Sequence, residues 1–521
     1  MGQSRRALRT TAVGAVSATL IAGTALGVTS PAQAAPAAGI RFVDIAGDGG
    51  TILKANVVAP ADTSRRYPLL VLPTSWSIPQ VEYFAQAQKL AESGYVVVSY
   101  NVRGFWQSGG EIEVAGPPDV ADASKVIDWA LANTQADPSE VGMAGVSYSA
   151  GISLLAAAHD ARIKAVAAMS GWADLIDSIY SGRTQHAMAV SFLGGTGYLT
   201  GRPSGHFQQM LKEFLGSDLS KEQDMIAWGK VRSPATYLDQ LNRNGAAVML
   251  ANAWGDTAFP PNQYAEFYDE LTVPKRLEFR PGDHATPEVT GLLGLPNDVW
   301  TDTERWFDHY LKGEDNGIDR EQPVQLKSRS TGGYEGYPDW KSVGATRRKI
   351  DLTGTTTIHA NVDSGADGGI FILSNAVDQF FRLPPMAAIP LLPRRWAAVW
   401  QSDNYATVQQ IRGTARLHTT LIPTKESGTL VAYLYDVGPL GLAKLVTNAP
   451  YTWHGRTPGT PFDVDLDLFS TAYDVPAGHR LALVVDTVDP LYFEHNPSGA
   501  QLTFSSTADD PSYVSVPLRE Q

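Results

Sequence analysis

Two hydrophobic patterns divide the chain. Residues 40–59 alternate apolar and polar positions around a Gly-Asp-Gly-Gly turn, as an antiparallel hairpin does. Short continuous apolar runs follow, PLLVLP (68–73), YVVVSY (95–100), EVGMAGV (140–146) and IKAVAAMS (163–170), of the kind that fill strands buried on both faces. Between them, residues 81–94, 119–134 and 150–161 carry helical spacing. Strand alternating with helix predicts a doubly wound α/β sheet. Residues 172–240 interrupt the rhythm with helix-like, aromatic-dotted sequence before strands resume at 246–252 and 275–280, and an amphipathic helix at 298–313 closes the unit. The interruption is read as a helical cap inserted between strands, over the sheet edge where ligands bind.

The pattern changes after Asn316. Gly, Pro and Thr punctuate many alternating segments, among them PVQLKSRS (323–330), GIFILSN (369–375), TARLHTTL (414–421), GTLVAYLYDV (428–437) and QLTFSS (501–506). Helical periodicity is nearly absent. A β-sandwich of jelly-roll type is therefore expected over 323–521, following an α/β domain over 35–320. The apolar, Pro-rich stretch 380–400 is assigned to packing between the domains, with a rim position at the active site as the alternative.

The first 34 residues are set apart. Arg5, Arg6 and Arg9 precede an apolar run broken by Thr, Ser and Gly, and Ala32-Gln33-Ala34 suits cleavage before Ala35. A secreted protein with no stable membrane anchor is expected; the opening partly matches a twin-arginine signal, so the export route stays open. Loss of the leader reduces 41 basic side chains to 38 against 54 acidic ones, a net charge of −16. Such a surface repels phosphate backbones and argues against nucleic-acid partners. With no cysteine in the chain, disulfides, thiolate metal sites and cysteine nucleophiles are excluded.

Chemistry concentrates at VGMAGVSYSAG (141–151), where a β-branched run meets a small-residue turn holding Ser147 and then a helix. This is the sequence form of a nucleophile elbow, with Ser149 in place of the second glycine. A serine nucleophile needs a base and an orienting carboxylate, each on a loop at the carboxyl end of a strand. Of ten histidines, His284 follows the strand at 275–280 directly, whereas His159, His186, His206 and His309 fall in helix ends, the cap or the closing helix. Asp256 follows the strand at 246–252 and precedes a Pro-Pro bend. The order Ser147–Asp256–His284 therefore predicts a catalytic triad, with no metal or organic cofactor. Asp283 adjoins the base and is read as a turn former or supporting partner. The Tyr148 backbone N–H is one oxyanion donor, and the loop Thr74-Ser75-Trp76 supplies the other.

These segments jointly resemble the family of X-Pro dipeptidyl-peptidases, cocaine esterase and α-amino acid ester hydrolases. YNVRGFWQSGGE (100–111) is similar to its Asp-x-Arg-Gly…Ser-x-Gly segment with Asn101 for Asp, while GVSYS, SGWADL (170–175), WGDTAFPP and PGDH match its elbow, following strand, acid loop and histidine loop. The resemblance implies an α/β-hydrolase with a helical cap and a C-terminal jelly roll, forming an acyl-enzyme on esters or amides. It also places Trp76 where the family has an oxyanion tyrosine, to act through its indole or its backbone N–H. The expected substrate is a small ester or short peptide, with an esterase first and an X-Pro exopeptidase second. A carbohydrate-binding protein that has lost activity is the alternative from another class. Asp174 and Asp177 are candidates for holding a substrate ammonium, although acidic residues usually face water. Asp463, Asp465 and Asp467 alternate on one strand face, where solvent exposure is the expectation and calcium the rival.

Overall fold

The computed structural model describes residues 39–216 and 219–521; the leader expected over 1–34 lies outside them. Among the described residues no helix is long and apolar enough to cross a membrane.

A ten-stranded mixed sheet forms the first domain, in the spatial order β1-β2-β4-β3-β5-β6-β7-β8-β9-β10. Its strands are β1 Gly39–Ala46, β2 Ile52–Ala59, β3 Tyr67–Pro73, β4 Val96–Tyr100 and β5 Ala136–Val146, then β6 Ile163–Met169, β7 Ala247–Ala253, β8 Lys275–Arg280, β9 Val324–Lys327 and β10 Tyr334–Tyr337. From β4 to β9 neighbours pair in parallel, and antiparallel hairpins flank them. The apolar runs read as strands take these places because both faces are covered. Leu69 and Val71 pack into one core with Val126, Leu154 and Phe267, and Leu70 and Leu72 into another with Leu90, Trp306 and Phe307. The covering helices are α1 Phe84–Glu92, α2 Pro117–Asn133 and α3 Tyr148–His159.

Between β6 and β7 the chain leaves the sheet as α4 Leu175–Ile179, α5 Ala187–Thr200, α6 Gly205–Leu215 and α7 Glu222–Val231, the expected cap. It returns through α8 Leu238–Asn244, which docks on α3 where Asn244 Nδ2 donates to the carbonyls of Ala157 and Ala158, 2.9 Å each. Helices α9 Asn262–Glu270, α10 Val289–Leu292 and α11 Asp298–Lys312 complete the domain.

The C-terminal part is an antiparallel β-sandwich of six- and five-stranded sheets with a three-stranded sheet beside them. Leu417, Leu421, Leu430, Leu434 and Leu483 meet between its layers. Asp463, Asp465 and Asp467 share an exposed face, where Asp465 bonds His418 at 2.8 Å and Asp467 bonds Arg416 at 2.9 Å. Among the described residues no group of three or more His, Asp or Glu side chains is arranged so that it could hold a metal ion.

Two expectations are corrected. PVQLKSRS does not open the sandwich: β9 pairs in parallel with β8 and extends the first sheet. Its period-two pattern suits an outer strand of either layer. GIFILSN is not a strand but leads into a helix, α12 Leu373–Phe381, whose apolar positions 373, 376, 377, 380 and 381 have helical spacing. The stretch 380–400 divides: Phe380 and Phe381 are exposed, whereas Ile389, Leu392 and Ala397 pack within the sandwich.

Helix α12 is pinned by a buried ion pair. Arg329 lies between β9 and β10; its Nη2 donates to Asp378 Oδ2 at 2.9 Å and its Nη1 to the Val446 carbonyl at 2.7 Å. Arg329→Ala leaves a buried carboxylate unpaired, and a loss of about 3–5 kcal/mol is expected in urea unfolding followed by fluorescence. An unchanged midpoint would show that the pair does not hold α12.

Candidate active site

Ser147 ends β5 with φ 61° and ψ −119°, a backbone conformation that L-residues rarely adopt and that lifts its side chain above the sheet edge. The turn is tight enough that a Cβ on Gly145 would lie 1.6 Å from Ser149 Oγ. Glycine is therefore required at 145, and its absent side chain makes the room that Ser149 occupies.

The loops after three strands converge on this residue. His284, after β8, sets Nε2 2.8 Å from Ser147 Oγ. Asp256, after β7, sets Oδ2 3.1 Å from His284 Nδ1, while its Oδ1 accepts the backbone N–H groups of Ala258 and Phe259 at 2.9 and 2.7 Å. One carboxylate oxygen is thus fixed by the loop and the other faces the imidazole. All three side chains are buried. His159, His186, His206 and His309 make their contacts elsewhere, with Leu155, Ser181, Trp228 and Glu314 respectively.

Sequence reasoning undervalued two further carboxyl groups. Asp283 Oδ1 accepts from the Thr257 backbone and hydroxyl and from the His284 backbone, at 2.9, 2.7 and 2.7 Å. Its Oδ2 accepts from Asn375 of α12 at 3.1 Å, and Asn375 also donates to the Gly255 carbonyl at 2.9 Å. The C-terminal part thereby braces the acid and histidine loops together. Glu288 accepts from Ser170 Oγ at 3.0 Å on both oxygens. Burial pushes Asp283 up to about 6 and Glu288 up to about 7. Only adjacency in sequence signalled Asp283, and nothing signalled Glu288 or Asn375.

Burial alone would lower the pKa of His284, but Asp256, then Asp283 and Glu288, outweigh it and raise the group above its ordinary 6.5.

The loop after β3 lies beside the elbow. Ser75 donates its backbone N–H to Glu82 at 2.8 Å, and its hydroxyl lies 2.8 Å from the Val146 carbonyl. Burial pushes the Glu82 carboxyl up to about 7. The Trp76 indole is not a free donor, which corrects that option: its Nε1–H donates to the Leu193 carbonyl of α5 at 2.8 Å. Its ring packs edge-on against Phe105, Tyr148 and Phe207. The large indole thus reaches the cap. The Trp76 backbone N–H has no acceptor among the described residues. That of Tyr148 opens α3 and has no intrahelical acceptor.

A cavity with an empty volume of about 1050 Å³, its open mouth included, runs from Ser147 into the cap. Cap residues such as Ile176, Val190, Leu211 and Ile226 line it. Asp174 and Asp177 do not: Asp174 caps α4 by accepting from Ile176 and Asp177 backbone N–H groups at 2.8 and 3.1 Å, and Asp177 faces a separate polar cleft.

A doubly wound sheet with a serine on a strained strand-to-helix turn defines an α/β-hydrolase. The family model of the X-Pro dipeptidyl-peptidase (S15 family) matches residues 48–286, and that of the X-Pro dipeptidyl-peptidase C-terminal non-catalytic domain matches 316–515. The chain belongs to this family and is a serine hydrolase. It is 22% identical to a "Putative Xaa-Pro dipeptidyl-peptidase" of Streptomyces avermitilis, over 76% of this chain and 68% of that one. It is 23% identical to a "Putative serine esterase" of Mycobacterium tuberculosis, over 51% and 49%. In fold it is similar to an α-amino acid ester hydrolase, with a TM-score of 0.72 and 17% identity over 95% of this chain and 98% of that one. A CocE/NonD family hydrolase from Staphylococcus aureus superposes with a TM-score of 0.65 and 14% identity, over 92% and 94%.

A base must be neutral to accept a proton, so the acid limb of the kcat/KM profile is expected above pH 6.5. Asp283→Asn removes one raising charge and is expected to move that limb to lower pH, measured on an activated ester. A limb that stays in place would separate Asp283 from the base.

Proposed function

We propose that this hydrolase cleaves carboxylic esters through an acyl-enzyme on Ser147. The observation that carries the reading is the 2.8 Å approach of Ser147 Oγ to His284 Nε2 with Asp256 behind the imidazole. His284 takes the Oγ proton as the oxygen attacks the ester carbonyl carbon, and Asp256 stabilises the imidazolium. The backbone N–H groups of Tyr148 and Trp76 receive the developing oxyanion. Collapse breaks the bond to the alcohol oxygen, which leaves with the proton from His284. A water molecule, deprotonated by the same imidazole, then attacks the acyl carbon, releasing the acid and restoring Ser147.

An X-Pro exopeptidase must hold the substrate's free ammonium, and a desolvated cation needs a counter-charge. Among the described residues the one carboxylate lining the cavity, Glu222, is already engaged by Arg183 at 2.9 Å and by the Tyr180 hydroxyl at 2.8 Å. This favours esters over dipeptidyl substrates. The assembled serine, base and acid also weigh against a binding protein without activity. The Arg-led leader ending at Ala34 supports a site of action outside the cell.

Ser147→Ala and His284→Ala are each expected to lower turnover of p-nitrophenyl esters by about 10⁴-fold or more, and Ser147→Ala to abolish fluorophosphonate labelling. Near-normal rates in either variant, or Xaa-Pro-p-nitroanilides cleaved faster than esters, would contradict the reading. Mass spectrometry of protein from culture medium is expected to find an N-terminus at Ala35; an intact leader there would contradict export by cleavage.

A further inference from the structure

The cavity joining Ser147 to the cap identifies the part of the substrate that the enzyme selects. Its two ends are chemically similar. At the serine end the rings of Trp76, Tyr148 and Phe207 interlock, with centroids 5.1 and 5.8 Å from Trp76. At the other end Tyr180 meets Phe214 with centroids 6.2 Å apart. Between them each cap helix turns one apolar stripe inward: Leu175, Ile176 and Ile179 from α4, and Met210, Leu211 and Phe214 from α6. These positions follow the one-face spacing of a helix, so the cap lines a continuous apolar passage and not a scatter of contacts.

Polar groups along it are few and mostly occupied. The Trp76 and Trp172 indoles donate to the carbonyls of Leu193 and Arg232, each at 2.8 Å. The Tyr148 hydroxyl accepts the Ala115 N–H at 2.7 Å. Glu222 is bonded to Arg183 and Tyr180. Trp228 Nε1 is without a partner among the described residues, and one neutral donor neither balances a charge nor orients a sugar or peptide. The small residues fit the same design: a Cβ on Gly229 would lie 2.8 Å from Ile176 Cγ1, so glycine lets α7 close onto α4 and seal the wall.

Resting on the esterase reading, we propose that the substrate's acyl group is a flexible aliphatic chain of eight or more carbons, threaded from Ser147 between α4 and α6 toward Tyr180 and Phe214. A short acyl group leaves most of the passage without a partner. Each added methylene that enters it gains about fourfold in binding from apolar burial.

The test measures kcat/KM for p-nitrophenyl acetate, butyrate, hexanoate and octanoate in monomeric solution, with the benzoate alongside. A rise of at least tenfold from acetate to octanoate, with octanoate above benzoate, is expected. Ile179→Trp, which fills the passage near Tyr180, is expected to cut the octanoate-to-acetate ratio at least tenfold. Ile226→Trp serves the same purpose from α7 should the first variant fail to fold. A flat profile, a maximum at acetate or a preference for benzoate, with turnover still lost in Ser147→Ala, overturns the chain-length proposal and leaves the esterase reading standing. Absence of hydrolysis on every ester overturns the esterase reading itself.

Discussion

The His284 imidazole must reach Ser147 with one nitrogen and Asp256 with the other, and the architecture around it is arranged to meet that constraint. Three loops spread over more than a hundred residues of chain have to bring their side chains within about 3 Å of the imidazole. Parallel β5, β7 and β8 solve this by delivering their carboxyl ends to one edge of the sheet. The sheet can be parallel only because helices bury both of its faces, and this is why its strands read as continuous apolar runs. The strained backbone at Ser147 is tolerated because the β5–α3 turn is held on every side, by Gly145 beneath Ser149, by the Ser147 N–H on the Met169 carbonyl and by Tyr83 Oη on the Val146 N–H.

Bracing from outside the sheet is equally physical. Helix α12 lies within the sequence of the C-terminal part, yet it sends Asn375 between the acid and histidine loops, where Gly255 leaves room for it. Arg329 anchors that helix, and Arg412 ties β10 to the three-stranded sheet beside the sandwich through Glu335 and Asp474. The C-terminal part therefore helps to hold the His284 loop in place. A serine at the sheet edge, an imidazole whose pKa is raised by surrounding carboxyl groups and an apolar cap lie side by side.

Much of this was legible in the residues. Continuous apolar runs gave the parallel strands, the small-residue turn gave Ser147, and strand order singled out His284 and Asp256 among many candidates. These signals are local or ordinal, and sequence preserves both. What stayed hidden depends on three-dimensional neighbours. The α12 periodicity was masked by the β-rich text around it, and β9 carries an alternation that suits either sheet. Nothing in PGDH says that Asp283 bridges two loops to a third, and nothing near Glu288 announces Ser170. The fate of the Trp76 indole was decided by Leu193, a residue over a hundred positions away.

The claim on which the account stands is that Ser147 carries the acyl group between two half-reactions. Acid quenching during turnover of a slowly deacylated ester, followed by peptide mapping by mass spectrometry, tests it directly. The account predicts one acyl adduct, on the peptide containing Ser147. An adduct on another residue, or steady turnover with no adduct at any quench time together with no burst of released alcohol, would contradict it.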